Sequence, residues 1–369
     1  MSSEVYWVER ASSHACPNSW EALLLAREAP RILRKARGAI LLGDNVTCDG
    51  FAVASPVRVQ THIHADHMVD FGTSKANQTI VASRATRELL ESIYNADLPY
   101  RSNLITLDQG MQMSVNGDLV ELVSSGHMLG SSQVKVTCND GYRIGYSSDF
   151  FWPLEPVIEV DELLVDATYG DPLRSRSYSQ EQADACFLEL LSISVASLKP
   201  TVVLSYNGRL QHALHLAASV VSSPIIVSPK AFPLVGVYQR HGFAIPTVIR
   251  ANSAEGLHLA RSGEPVVAFV TLPEQRHLPW VERFAKIHLS AHASKLDDPV
   301  TLYDNGDCCI ALTDHADFAG TMEYVEASGA HLVWTDPRSG NAEALARAIR
   351  EQVGIDAGVV PQLVDRGWG

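Results

Sequence analysis

Cysteine is scarce and scattered. Cys16, Cys48, Cys138, Cys186, Cys308 and Cys309 are spread over 369 residues with no C-x-x-C pair. That spacing argues against a thiolate zinc knuckle and suits free thiols in a reducing compartment. No apolar run approaches the roughly 18 residues of a membrane span. Residues 1–17 are polar and lack a basic segment followed by an apolar core, so no export signal is read and a cytoplasmic location is expected. There is no internal repeat, low-complexity tract or charge block. Positive charge is also short: the net charge is −13. That balance counts against a protein that grips long stretches of nucleic acid. A local basic groove remains compatible with it, and two bound divalent cations would offset about four charges at one place.

What is present is an ordinary globular composition, 46% apolar and 19% charged. The length exceeds the about 100–200 residues of one domain. Residues 20–38 read as a helix interrupted at Pro30. Short β-rich runs follow at 39–42, 57–61, 104–107, 119–123, 134–137 and 143–146, broken by a helix at 83–96. The texture then changes. Ser179-x-x-Gln182 is a capping-box signature before a helix reaching about Leu198. Buried strands are read at 202–205, 225–227, 247–250 and 266–270. Helical segments follow Gly208, Lys230 and Pro279, an alternation typical of a parallel α/β unit. Strand and helix alternate again at 310–312, 318–327, 332–334 and 342–351.

The chemistry concentrates at strand ends. Thr61-His62-Ile63-His64-Ala65-Asp66-His67 follows an apolar strand. Alternate residues on extended chain face one way, so His62 and His64 can share one metal. The chain then turns, and Asp66 with His67 can address a second. Imidazoles and carboxylates without thiolate suit Zn²⁺, Mn²⁺ or Fe²⁺. Gly126-His127-Met128-Leu129-Gly130-Ser131 and Tyr146-Ser147-Ser148-Asp149 also close strands, although each alone could be an ordinary turn.

In this order the motifs resemble the metallo-β-lactamase superfamily. The resemblance implies that His127 completes the first metal set, that Asp149 bridges two ions, and that Asp49 in Cys48-Asp49-Gly50 orients a metal histidine from behind. Leu163-Leu164-Val165-Asp166 and Thr313-Asp314-His315-Ala316-Asp317, with an α/β segment between them, are similar to motifs of the β-CASP branch, which acts on nucleic acids. The implied fold is α/β: a metallo-β-lactamase αββα sandwich interrupted by an α/β β-CASP domain. The expected division is an N-terminal extension over 1–38, the first part of the sandwich over 39–175, the insertion over 176–300, and the rest of the sandwich over 301–369.

The implied activity is metal-dependent hydrolysis of phosphodiester bonds, leaving a 5′-phosphate and a 3′-hydroxyl. It would serve RNA processing of the mRNA 3′-end factor type. The alternatives are a DNA exonuclease of the ligase-associated repair type and a non-catalytic scaffold. Two divalent ions are implied, Zn²⁺ first and Mn²⁺ second. Asp66, Asp149, Asp166 and His315 would be catalytic, with His315 giving a proton to the leaving oxygen and Asp166 holding its ring. Asp336 stands where the branch usually carries its last histidine. It either ligates the second ion or marks a weakened site. Arg174, Arg176 and Arg209 are candidates for substrate phosphates. His292, His212 and His215 are better read as non-catalytic. The expected partners are single-stranded RNA or DNA and a second copy of the chain as a homodimer, with no membrane.

Overall fold

The computed structural model describes residues 30–93, 97–290 and 297–363. Among these, three sheets of seven strands form the frame. The first orders its strands Gln362–Leu363, Ile32–Lys35, Ile40–Leu42, Val46–Cys48, Val57–Val59, Thr79–Ala82 and Leu104–Thr106. The second runs Asp356–Val359, Leu332–Thr335, Glu162–Val165, Arg143–Tyr146, Ser132–Thr137, Asp118–Ser124 and Gln112–Val115. These two face each other. Ile40, Val46, Val57 and Val59 of one bury against Val120, Val134, Ile144 and Leu164 of the other. Each fully buried aliphatic side chain contributes roughly 1.5–3 kcal/mol.

Helices cover both outer faces. Phe71–Asn77 and Arg84–Ile93 lie over the first sheet. Phe318–Ala327 and Ala342–Ala348 pack on the second through Phe318, Tyr324, Leu345 and Val333. The result is the four-layer α/β sandwich expected from the sequence.

The third sheet is separate, with the order Val248–Arg250, Ile225–Val227, Val267–Thr271, Thr201–Ser205, Ala285–Leu289, Cys308–Ile310 and Val300–Leu302. Six of its strands are parallel, and helices cover it on both faces, as parallel sheets require. One of these is Gln180–Ala196, whose Ser179 and Gln182 form the expected capping box. The sheet runs on to Ile310, past residue 300, because Val300–Leu302 turns back to pair antiparallel with Cys308–Ile310. The helix Phe232–Arg240 sends Leu234, Val237 and Tyr238 into the cluster formed by Ile63, Leu89, Leu90 and Met128. The third-sheet unit is thereby packed beside the His-rich segment.

Two expectations fail locally. Residues 20–29 lie outside the described chain, and 32–35 are a strand, not the end of a helix. Ile32–Arg34 pair antiparallel with Ile40–Leu42, and Gly38, at φ +99°, makes the turn. Sheet pairing there overrides helical pattern. Pro279–Arg283 is a short 3₁₀ turn, with Trp280 and Val281 buried.

Candidate metal centre

The first sheet delivers the His-rich segment. After Val57–Val59 the chain stays extended to His64, then tightens into a 3₁₀ turn at Ala65–His67. A buried arginine that the sequence reading did not single out fixes this turn. Arg58 donates to the carbonyls of His67 and Val69 (3.0 and 2.8 Å), to Ser74 Oγ and to Gln60. Burial lowers its pKa to about 10, so it stays charged near neutrality. Gln60 in turn donates to the carbonyls of His62 and His67.

Hydrogen bonds to fixed acceptors settle the tautomers of three histidines. His127 Nδ1 lies 2.9 Å from the carbonyl of Asp314, and His64 Nε2 lies 2.8 Å from that of Asn207. A carbonyl only accepts, so both nitrogens carry the proton. Thr61 Oγ1 gives its proton to Asp49 Oδ2 at 2.7 Å and therefore accepts from His62 Nδ1 at 3.0 Å. The remaining nitrogen of each ring is a lone pair, and the three converge. His64 Nδ1 and His127 Nε2 are 3.0 Å apart. His62 Nε2 is buried without a hydrogen-bond partner, 3.5 Å from Asp149 Oδ2.

Ligand atoms of His62, His64, His127 and Asp149 all lie within 4.8 Å of one another. Four electron-rich atoms at this spacing, two of them on fully buried rings, could hold a cation between them. Burial pushes the His127 ring down to about 4 and the His62 ring well below its usual value. Both are therefore neutral, as ligands must be. These residues fit a metal ion.

The residues expected around a second ion do not assemble in this way. Among the described residues no comparable cluster contains Asp66, His67 or Asp336. His67 Nδ1 donates to Asp49 Oδ2 at 2.7 Å, and its Nε2 lies 3.2 Å from Asp149 Oδ1. Asp66 is exposed, with Oδ2 3.6 Å from His67 Nε2. Asp336 caps the turn Pro337–Ser339 by accepting from the Arg338 amide, and it pairs with Arg338 Nε at 3.1 Å.

Beside the first cluster, His315 Nδ1 bonds Asp166 Oδ2 at 2.8 Å, and its Nε2 stands 3.9 Å from Asp149 Oδ2. Asp166 is held by Thr168, which donates to its Oδ1 through both amide and hydroxyl at 2.8 Å. Burial opposes a charge on His315, but the Asp166 carboxylate outweighs it and raises the ring to about 9. The cluster meets a cavity of about 310 Å³ through His64 and Asp149, and the cavity is lined further by Asp66, Asp166, Arg209, His315 and Arg338.

Of the three candidate arginines, only Arg209 lines that cavity, with Nε 3.2 Å from the buried Asp314. The Arg176 guanidinium turns to Asp317 (Nε 3.8 Å from Oδ2) and Tyr178, and Arg174 is exposed on a short turn. Gly208, just before Arg209, has φ +90°. A Cβ there would stand 3.3 Å from Met128 and 3.4 Å from Asp314 Oδ2, which explains a glycine at this junction. His212 pairs with Asp184, and His215 bonds the carbonyl of Ala244. His292 lies outside the described residues.

No family model matches the chain. It is 30% identical over 139 residues to a protein of Acidianus ambivalens named an uncharacterized protein in the lig 3′ region, of which it covers 98%. It is 22% identical over 308 residues to a probable DNA ligase of Opitutus terrae. That match takes in 80% of the chain and spans 28% of the ligase. A solved structure of a protein of unknown function from Enterococcus faecalis V583 superposes with a TM-score of 0.51 at 12% identity. It covers 89% of this chain and 85% of that one, and the likeness is one of fold.

Proposed function

The chain belongs to the family of the Acidianus ambivalens lig 3′-region protein, and we propose that it is a metal-dependent nuclease of the β-CASP branch, hydrolysing phosphodiester bonds in DNA. One observation carries the reading. Three oriented imidazole lone pairs and a carboxylate converge beside the His315–Asp166 pair, and His64, Asp149, Asp166 and His315 line one cavity. The third-sheet unit, over roughly the expected 176–300, is the inserted domain in this reading, and the strand to be cut lies between it and the sandwich. The match to part of a probable DNA ligase favours DNA. RNA, the substrate expected from the resemblance to mRNA 3′-end processing factors, is the second reading.

A divalent ion at His62, His64, His127 and Asp149, Zn²⁺ or Mn²⁺, would lower the pKa of a bound water and draw charge from the phosphate. The protein supplies the rest. Asp166 fixes His315 so that its Nε2 faces the cavity, and a ring titrating near 9 carries a proton to give to the leaving oxygen. Arg209 supplies positive charge on the insertion side. The half-exposed Tyr206 ring beside it offers a face for a base.

The test is cleavage of end-labelled, matched DNA and RNA strands by the Mn²⁺- or Zn²⁺-loaded protein, with His127→Ala as control. Faster cleavage of DNA, abolished in the variant, is expected. Faster cleavage of RNA would move the assignment to RNA processing. No cleavage of either polymer would reduce the chain to a non-catalytic scaffold.

A further inference from the structure

We propose that the Arg338 guanidinium takes the place of a second cation, so that the centre holds one divalent ion and one fixed organic charge. This inference rests on the metal-centre reading above and deepens it. His67 has a single lone pair to offer, because its Nδ1 proton is given to Asp49 Oδ2. That lone pair is on Nε2, and Arg338 Nη1 stands 2.7 Å from this atom and 3.0 Å from Nδ1, against the face of the ring. An ion ligated by Nε2 at the about 2.0–2.1 Å that ligation needs would stand beside this guanidinium and meet its like charge at short range. The same guanidinium donates from Nη2 to Tyr146 Oη at 2.8 Å and places Nε 3.1 Å from Asp336 Oδ2. It therefore lies against both His67 and Asp336, two of the residues expected around a second ion.

The placement is built into the backbone. Asp336 caps the turn Pro337–Ser339 through the Arg338 amide and so directs the side chain back toward its own carboxylate. Charge agrees with position. Asp149 presents Oδ2 to the first cluster and Oδ1 toward His67. A permanent cation against the His67 ring adds positive charge on the side of this carboxylate where a second ion would stand. Arginine is protonated at every accessible pH and needs no ligands. Because Arg338 also lines the cavity, its charge is available to a phosphate oxygen in the position where a second ion would offer its own.

The experiment counts ions and does not depend on catalysis. The full chain is stripped with chelator and titrated calorimetrically with Mn²⁺ and Zn²⁺ chloride, and bound metal is measured by mass spectrometry after gel filtration. The expected result is one ion per chain, lost in His127→Ala, and two ions in Arg338→Met, the second lost when His67→Ala is added. Two ions in the unaltered protein would overturn the inference and leave the metal-centre reading standing. So would one ion in Arg338→Met. No ion in the unaltered protein would overturn the metal-centre reading and this inference with it. Arg338→Ala serves if the Met variant does not fold, and the count in the unaltered protein is decisive by itself.

Discussion

His64 gives its Nε2 proton to the main-chain carbonyl of Asn207, 2.8 Å away. A loop of the third-sheet unit thus fixes a ring of the sandwich's metal cluster. The neighbouring Gly208 closes the junction at φ +90° with His64, Met128 and Asp314 all around it. Gly208→Val should push this loop outward and free the His64 ring to rotate. Mn²⁺ affinity should fall about 10-fold to 100-fold, the usual effect of losing a partner behind a ligand. Calorimetric titration measures it. Unchanged affinity would mean that the junction plays no part in holding the site.

Asp49 is the buried anchor of the same segment. Its two oxygens accept from the Thr61 amide, the Thr61 hydroxyl and His67 Nδ1 at 2.7–2.9 Å. Asp49 itself adopts φ +55°, which brings the carboxylate under the segment. Asp49→Ala would leave three buried donors without an acceptor and should cost about 3 kcal/mol of stability, read from urea unfolding. Metal affinity should fall with it, because Thr61 and His62 lose their orientation. A loss below 1 kcal/mol would place the anchor elsewhere.

These two contacts show where sequence stops being informative. His62, His64, His127 and Asp149 were legible because each is a metal-ligating residue type at the end of a β-rich run, and that pattern survives without coordinates. The Asn207 carbonyl was not legible, since any residue carries one and only the junction's path brings it to His64. Arg58 was hidden for another reason. It lies within the short strand Val57–Val59, where alternation allows an outward, solvated side chain, yet the turn after His67 folds over it and buries it completely. Arg338 carried no signal beyond Asp336-Pro337. Its role depends on the cap that turns its side chain back, a three-dimensional fact. The strand Ile32–Lys35 was misread because four residues are too few to show a period.

The edge that holds that strand has its own pH dependence. Glu162 accepts from the Ile32 amide at 3.0 Å and from Trp334 Nε1 at 2.7 Å. Burial nevertheless raises its carboxyl above the ordinary 4.5. A folded-state pKa above the unfolded one contributes stability that is complete below the unfolded value and is lost as pH rises through the folded value. The stability of the unaltered protein relative to Glu162→Gln should therefore decline as pH rises from below the ordinary 4.5 through the raised folded value. Parallel urea unfolding of the two proteins across that range checks this. A difference that grows with pH would reverse the assigned sign.

The proton donor can be separated from the metal. His315 stands 3.9 Å from Asp149 and outside the four-residue cluster, with Nδ1 tied to Asp166 at 2.8 Å. If it acts on the leaving oxygen, His315→Ala should lower kcat about 10²-fold to 10⁴-fold, the usual worth of a positioned acid. Bound Mn²⁺ should stay the same. Asp166→Asn should lower kcat in the same direction by loosening the ring, again without loss of metal. Added imidazole should restore part of the rate to His315→Ala, because the emptied space opens on the cavity, and should do nothing for Asp166→Asn, whose ring is still present. Loss of Mn²⁺ together with rate in His315→Ala would instead make His315 part of the ion's support and remove it from proton transfer.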